Sequence, residues 1–285
     1  MITNNNLWVG TISSGLFEIN NVTGKKNLLN RILHFSFTKN RFMSIINLPD
    51  GTLMCGIEND GLIHIRKDGS VINHYLSKKT DAKGILVNSI WSLFLDNNER
   101  IWIGYHNAGI AIYDKLHDKF KDIESLPNNS NSLQIGSVTS IVKDPLGNFW
   151  IGLDGGGIDV FNPKSNQFTH INSSKNNLFS GLTNDYIESI FIDSKQNIWL
   201  GSWGNGLYLL KKGSKKFINY TIKNTKGGIS SDYILSITEG LDGTIWFSNW
   251  DKGLHSYNPD TNKFVHHTSE PFIKTEYLIV SPEKF

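Results

Sequence analysis

The chain has 285 residues, 39% of them hydrophobic and 12% aromatic, which is enough to bury a large core as one all-β or α/β domain or as two smaller ones. Its 28 basic and 26 acidic residues leave a formal net charge of +2, excluding the concentrated basic surface that nucleic acid requires. A single cysteine, Cys55, excludes an internal disulfide and a cysteine-based zinc site; no run of about 18 apolar residues offers a membrane span, and "MITNNNLWVG" shows no signal peptide.

Taken in order, the apolar segments are copies of one pattern: "NNLWVGTISSGLFEI", "GTLMCGIENDGLIHI", "ERIWIGYHNAGIAIY", "NFWIGLDGGGIDVF", "NIWLGSWGNGLYLL" and "TIWFSNWDKGLHSY". Their large anchors are Trp8, Met54, Trp102, Trp150, Trp199 and Trp246, separated by 46, 48, 48, 49 and 47 residues. Two positions after the anchor stand Gly10, Gly56, Gly104, Gly152 and Gly201, with Ser248 the exception; a second glycine follows at Gly15, Gly61, Gly109, Gly157, Gly206 and Gly253.

Within a repeat, four short strands are expected. In the fourth, "SVTSIVKD" is followed by a "PLGN" turn, "FWIGL", a "DGGG" turn, "IDVFNP" and "FTHIN". Turn dipeptides between runs of Ile, Val, Phe and Tyr are hairpin signals, and no segment of useful length has helical periodicity. Six four-stranded antiparallel units of this period read as blades of an all-β β-propeller, a single domain over 1–285, with a seven-bladed, longer or double array as the competing view. One large flat side chain per blade fills the wedge between sheets, which is the expected role of the tryptophan column. The first repeat enters at its second strand, so residues 273–285, with "TEYLIVSPEK", are expected to complete the first blade and close the ring.

The pattern D-x-x-G-N-x-W-I-G-x-x-x-G-G-I-x-x-F-N-P, with "SVTSI" upstream, resembles the two-component regulator propeller repeat. The resemblance runs through six registers, with Met54 for tryptophan as its main departure. It implies the periplasmic sensor region of bacterial hybrid histidine kinases, perceiving an extracellular cue, often a glycan fragment, with a membrane span and kinase downstream. No catalytic residue carries over.

Where the repeats agree, scaffold is expected; where they disagree, a site. Gly155, Gly156 and Gly157 read as a turn, since a phosphate loop needs a helix after its glycines and "IDVFNP" is a strand. Four residues past each anchor, however, stand Ile12, Glu58, His106, Asp154, Trp203 and Trp250. These turns should share a face with the loops joining successive blades. Trp203, Trp250, Tyr105 and His106 would then offer aromatic surfaces beside Glu58, Asn107, Asp154, Asn205 and Asp251, an arrangement suited to a sugar or other small polar ligand; the alternative is surface variation, with the extra Trp packed on the adjacent blade. A second variable column, Met43, Trp91, Thr139, Glu188 and Leu235, lies on the innermost strand beside Ser44, Ser92, Ser140, Ser189 and Ser236; Trp91 and Glu188 are its candidates for a channel-facing role, with a buried or inter-blade role as the equal alternative.

His266 and His267 are adjacent on a strand, point to opposite faces and make poor joint metal ligands. The acidic turns lack calcium-loop spacing. No metal, cofactor or catalytic residue is therefore expected. The expected function is non-catalytic ligand sensing, with a small polar ligand or oligosaccharide as partner, signalling domains downstream in a longer chain and a homodimer left open. The alternatives are a protein-interaction scaffold and a lyase resembling streptogramin lyase, for which His106 with Glu58 or Glu188 is the one acid–base pairing available. A sialidase would need clustered arginines, and Arg31, Arg41, Arg66 and Arg100 are scattered over different repeat positions.

Overall fold

Each repeat folds into one antiparallel sheet whose four strands follow the order of the chain. The computed structural model describes residues 2–3, 6–20, 22–28, 40–77, 84–126, 128–174 and 178–267, and no helix occurs among them. The first sheet is β1 (Ile2–Thr3), β2 (Asn6–Gly10), β3 (Leu16–Asn20) and β4 (Lys26–Leu28). The second is β5 (Phe42–Asn47), β6 (Leu53–Ile57), β7 (Gly61–Ile65) and β8 (Val71–Tyr75). The third is β9 (Ile90–Leu95), β10 (Ile101–Tyr105), β11 (Ile110–Asp114) and β12 (Lys119–Ile123). The fourth is β13 (Val138–Lys143), β14 (Phe149–Leu153), β15 (Gly157–Asn162) and β16 (Gln167–Ile171). The fifth is β17 (Ile187–Ile192), β18 (Ile198–Ser202), β19 (Leu207–Leu210) and β20 (Phe217–Tyr220), and the sixth is β21 (Ile234–Glu239), β22 (Ile245–Asn249), β23 (Gly253–Asn258) and β24 (Lys263–His267). The fold is all-β, and these sheets are the six blades of a β-propeller. Two compact units divide between Glu124 and Ser125, so the first three sheets belong to one unit and the last three to the other.

The anchors all fall on the second strand of a sheet. Every residue of β6, β10, β14 and β18 is buried, which is why these strands read as continuous apolar runs rather than alternating ones. The core lies between successive sheets. In the first unit, Trp8 and Leu16 pack with Phe42, Ile45 and Leu53 of the second sheet. Met54 and Leu62 of that sheet pack with Ile90, Ile101 and Tyr105 of the third. In the second unit, Trp150 and Ile158 meet Ile187, Ile190 and Leu200, while Trp199 and Leu207 meet Ile234, Ile245 and Phe247.

Two columns keep the sheets close. The glycine two places after the anchor pairs with the serine of the innermost strand, as in Ser44↔Gly56, Ser140↔Gly152 and Ser189↔Gly201. A Cβ on Gly201 would lie 2.5 Å from Ser189 Oγ and 2.8 Å from the Ile234 carbonyl of the next sheet. Only a residue without a side chain fits there.

Three tryptophans are also fixed through their indole N–H. Trp102, Trp150 and Trp199 donate to Asp96, Asp144 and Asp193 at 3.0, 3.1 and 2.9 Å. The same carboxylates close the preceding hairpin turn; Asp193, for example, accepts the Asn197 backbone N–H at 2.7 Å and its side-chain amide at 2.9 Å. The acidic turns are thus turn and anchor in one device. In the second repeat Leu48 stands six residues before Met54, so acceptor and donor are replaced together. In the sixth, Gly240 precedes Trp246, which is only partly buried and stacks on His267 with ring centroids 4.7 Å apart.

The first sheet begins with a strand of its own, β1, which pairs with β2 at Ile2↔Leu7 and Thr3↔Asn6. The expected closing strand, 273–285, and Arg31 lie outside the described residues.

Candidate functional site

The variable inner column has a structural cause. In five sheets the innermost strand carries a β-bulge: Phe42↔Ile57 is followed by Ser44↔Gly56, Ile90↔Tyr105 by Ser92↔Gly104, and Val138↔Leu153 by Ser140↔Gly152. Likewise Ile187↔Ser202 is followed by Ser189↔Gly201, and Ile234↔Asn249 by Ser236↔Ser248. The extra residues are Met43, Trp91, Thr139, Glu188 and Leu235, which is the column where the repeats disagree. A bulge frees its side chain from the ladder and re-aims it, and bulges are common beside functional sites.

In the second unit the turn column and the residue preceding each innermost strand form a continuous run. Asp154 bridges Tyr186, Trp203 bridges Tyr233, and the backbone N–H groups of Trp203 and Trp250 donate to the carbonyls of Tyr186 and Tyr233, each at 3.0 Å. Trp203 stands nearly at right angles to both neighbours, 5.1 Å from Trp250 at 76° and 4.9 Å from Tyr233 at 71°. Glycines with φ of 99° and 91°, Gly155 and Gly204, turn the chain beside the tyrosine rings, at ordinary contact distance from them. A Cβ on Gly155 would be 3.4 Å from the Tyr186 ring, and one on Gly204 would be 3.6 Å from the Tyr233 ring.

Four large aromatics are thereby left open to solvent: Tyr186 is 51% exposed, Trp203 37%, Tyr233 41% and Trp250 44%. Glu188, on its bulge, is held up to about 7 by burial and then by the negative charge of Asp154. No hydrogen bond or ion pair reaches either carboxylate among the described residues. Asp251 lies beside Lys252 at 3.5 Å, and its carboxyl is held down first by the Ser231 hydroxyl. Asn205 has a fixed structural role: its side-chain amide donates to Thr183 Oγ1 at 2.7 Å and to the Tyr208 hydroxyl, and its backbone carbonyl accepts from the Asn219 side-chain amide at 2.8 Å.

Sequence reasoning missed Tyr186 and Tyr233. The available signal was the same disagreement between repeats, since the equivalent positions in earlier sheets, each accepting the turn residue's N–H, are Arg41, Ser89 and Ser137.

In the first unit the candidates have other partners. Tyr105 is fully buried in the core, and its hydroxyl accepts the Leu86 N–H at 3.3 Å, so it offers no surface to a ligand; as the last residue of β10 it packs between sheets. Glu58 is ion-paired with Arg41. The His106 ring lies against Trp91, with centroids 4.2 Å apart, and shares a hydrogen bond of 2.9 Å with the Asn107 amide. No hydrogen bond or ion pair joins His106 to Glu58 among the described residues. His266 stacks on His255 and His267 on Trp246, so the two adjacent histidines do face apart. No helix among the described residues is long and apolar enough to cross a membrane.

Residues 84–107 and 181–204 match the family model described as two component regulator propeller. The second match ends at Trp203 and Gly204, inside the aromatic run. A solved structure named as the extracellular domain of a hybrid two component system from B. thetaiotaomicron is 24% identical, with a TM-score of 0.74 over 93% of this chain and 33% of its own. The chain therefore spans about a third of that protein's solved length. A catalytically inactive virginiamycin B lyase from Staphylococcus aureus, solved with quinupristin, is 16% identical, with a TM-score of 0.58 over 85% of this chain and 71% of its own. A protein of unknown function from Bacteroides caccae is 14% identical, with a TM-score of 0.59 over 89% of each chain. At these identities the likeness is one of fold. Among curated proteins, none matches the chain.

Proposed function

We propose that this chain, which carries two-component regulator propeller repeats, is the non-catalytic ligand-sensing propeller of an extracytoplasmic two-component sensor. The ligand is a small polar molecule or oligosaccharide held on the face of Trp203, Trp250, Tyr186 and Tyr233. The observation that carries this reading is the exposure of four contiguous large aromatics, where a stable fold gains by burying them. Flat rings beside polar groups take a sugar's apolar face by stacking and its hydroxyls by hydrogen bonding. The repeat type and the likeness to the extracellular domain from B. thetaiotaomicron support the sensor role and a location outside the cytoplasm.

A thermal-shift screen against an oligosaccharide panel tests the reading. At least one oligosaccharide raises the melting temperature of the unaltered chain, and Trp203→Ala and Trp250→Ala each abolish that rise. A rise that survives both substitutions would place the ligand elsewhere.

A further inference from the structure

We infer that the aromatic face of the second unit selects a ligand bearing an organic ammonium group. The inference rests on the reading of that face as the ligand site and names the chemistry it prefers. Trp203 meets Trp250 at 76° and Tyr233 at 71°, so the rings form corners and not one flat shelf. Ring faces carry negative potential, and several faces turned to a common point attract a compact cation more strongly than one does.

Two carboxylates stand on the turn and the bulge next to Tyr186. Asp154 bridges Tyr186, and Glu188 feels the charge of Asp154 from the adjacent bulge. Neither carboxylate has an ion pair among the described residues, whereas Lys252, the cation near Trp250, already lies beside Asp251. A partly buried carboxyl with a like-charged neighbour and no counter-ion is an unfavourable arrangement that a bound cation relieves. An anionic sugar would meet repulsion at the same place, and a neutral one would gain stacking alone. An ammonium carried on a sugar-sized body gains both cation–π contact and charge attraction.

The test uses the full chain labelled with 5-fluorotryptophan, with the resonances of Trp203 and Trp250 assigned through Trp203→Phe and Trp250→Phe. Three probes are titrated: a glucosamine tetramer, its N-acetylated counterpart and a uronate tetramer. The account predicts saturable shifts of both resonances, with a midpoint for the glucosamine tetramer about tenfold below that for the N-acetylated one. Asp154→Asn with Glu188→Gln narrows that difference. High salt narrows it as well in the unaltered chain, which keeps the test independent of whether the variant folds. Equal or tighter binding of the N-acetylated or uronate probe overturns the ammonium inference and leaves the aromatic face standing as the ligand site. No shift with any of the three overturns both.

Discussion

At the scale of single residues, the tryptophans divide into two chemical kinds. Trp199 is buried, with its indole N–H on Asp193, and fills the space between two sheets. Truncating it to alanine should cost about 3–5 kcal/mol, while Trp250→Ala should cost about 1 kcal/mol or less, both read from chemical denaturation. Asp193→Ala should cost about 1–3 kcal/mol, because it leaves a buried indole donor and a turn N–H without their acceptor. The contrast between core and surface tryptophan was legible in the copies: one column repeats, the other does not. The Asp–Trp pairing was legible too, as a constant six-residue spacing in the third, fourth and fifth repeats that fails in the first, second and sixth, although the turn alone accounts for the aspartate. Glu188 was legible only as an odd residue. Its carboxyl, normally near 4.5, is pushed to about 7, so the folded state resists its ionisation. The neutral form's stability is fully present below pH 4.5 and is lost as pH rises through 7. Glu188→Gln should therefore be more stable than the unaltered chain above pH 7, by roughly 3 kcal/mol, and equal to it at pH 4.

At the scale of elements, the hairpins follow from the turn residues, whereas the bulges do not. A bulge depends on pairing register, and the innermost strands read as ordinary alternation, so the freed position of Glu188 emerges only from Ile187↔Ser202 and Ser189↔Gly201. The Ser–Gly apposition shows the opposite case, where two repeating columns announce their contact. Gly201→Ala should cost about 1–3 kcal/mol through overpacking, and Ser189→Ala should not restore it, because the Ile234 carbonyl also stands in the way. The β23–β24 hairpin carries a pH dependence of its own. His255 is fully buried, stacks on His266 at 4.2 Å, and is held down to about 4 by burial, with the charges of His266 and His267 adding to it. The unfolded chain binds this proton below about pH 6.5 and the folded one only near 4, so stability should fall as pH drops across that interval, by roughly 3 kcal/mol. Melting curves of the unaltered chain and of His255→Leu should diverge in this window, the variant showing the shallower acid slope.

At the scale of the whole molecule, the fold was readable because one unit is written six times, and every copy constrains the same sheet. What the sheets carry was less readable. The candidate site lies in the turns and bulges where the copies differ, and a difference names a position without naming its neighbours; Tyr186 and Tyr233 were overlooked for that reason, and Tyr105, expected at the surface, is buried. The two halves of the candidate set also behave differently. Glu58 and His106 are engaged with Arg41 and Trp91, while Trp203 and Trp250 remain open. The central claim is that this open face binds the ligand. Calorimetric titration of the strongest oligosaccharide from the thermal screen into the unaltered chain and into Trp203→Ala/Trp250→Ala tests it most directly, with far-ultraviolet circular dichroism recorded on both. The account predicts saturable binding to the unaltered chain and none to the double variant, with the β-sheet spectrum preserved. Undiminished binding by a folded double variant would contradict it.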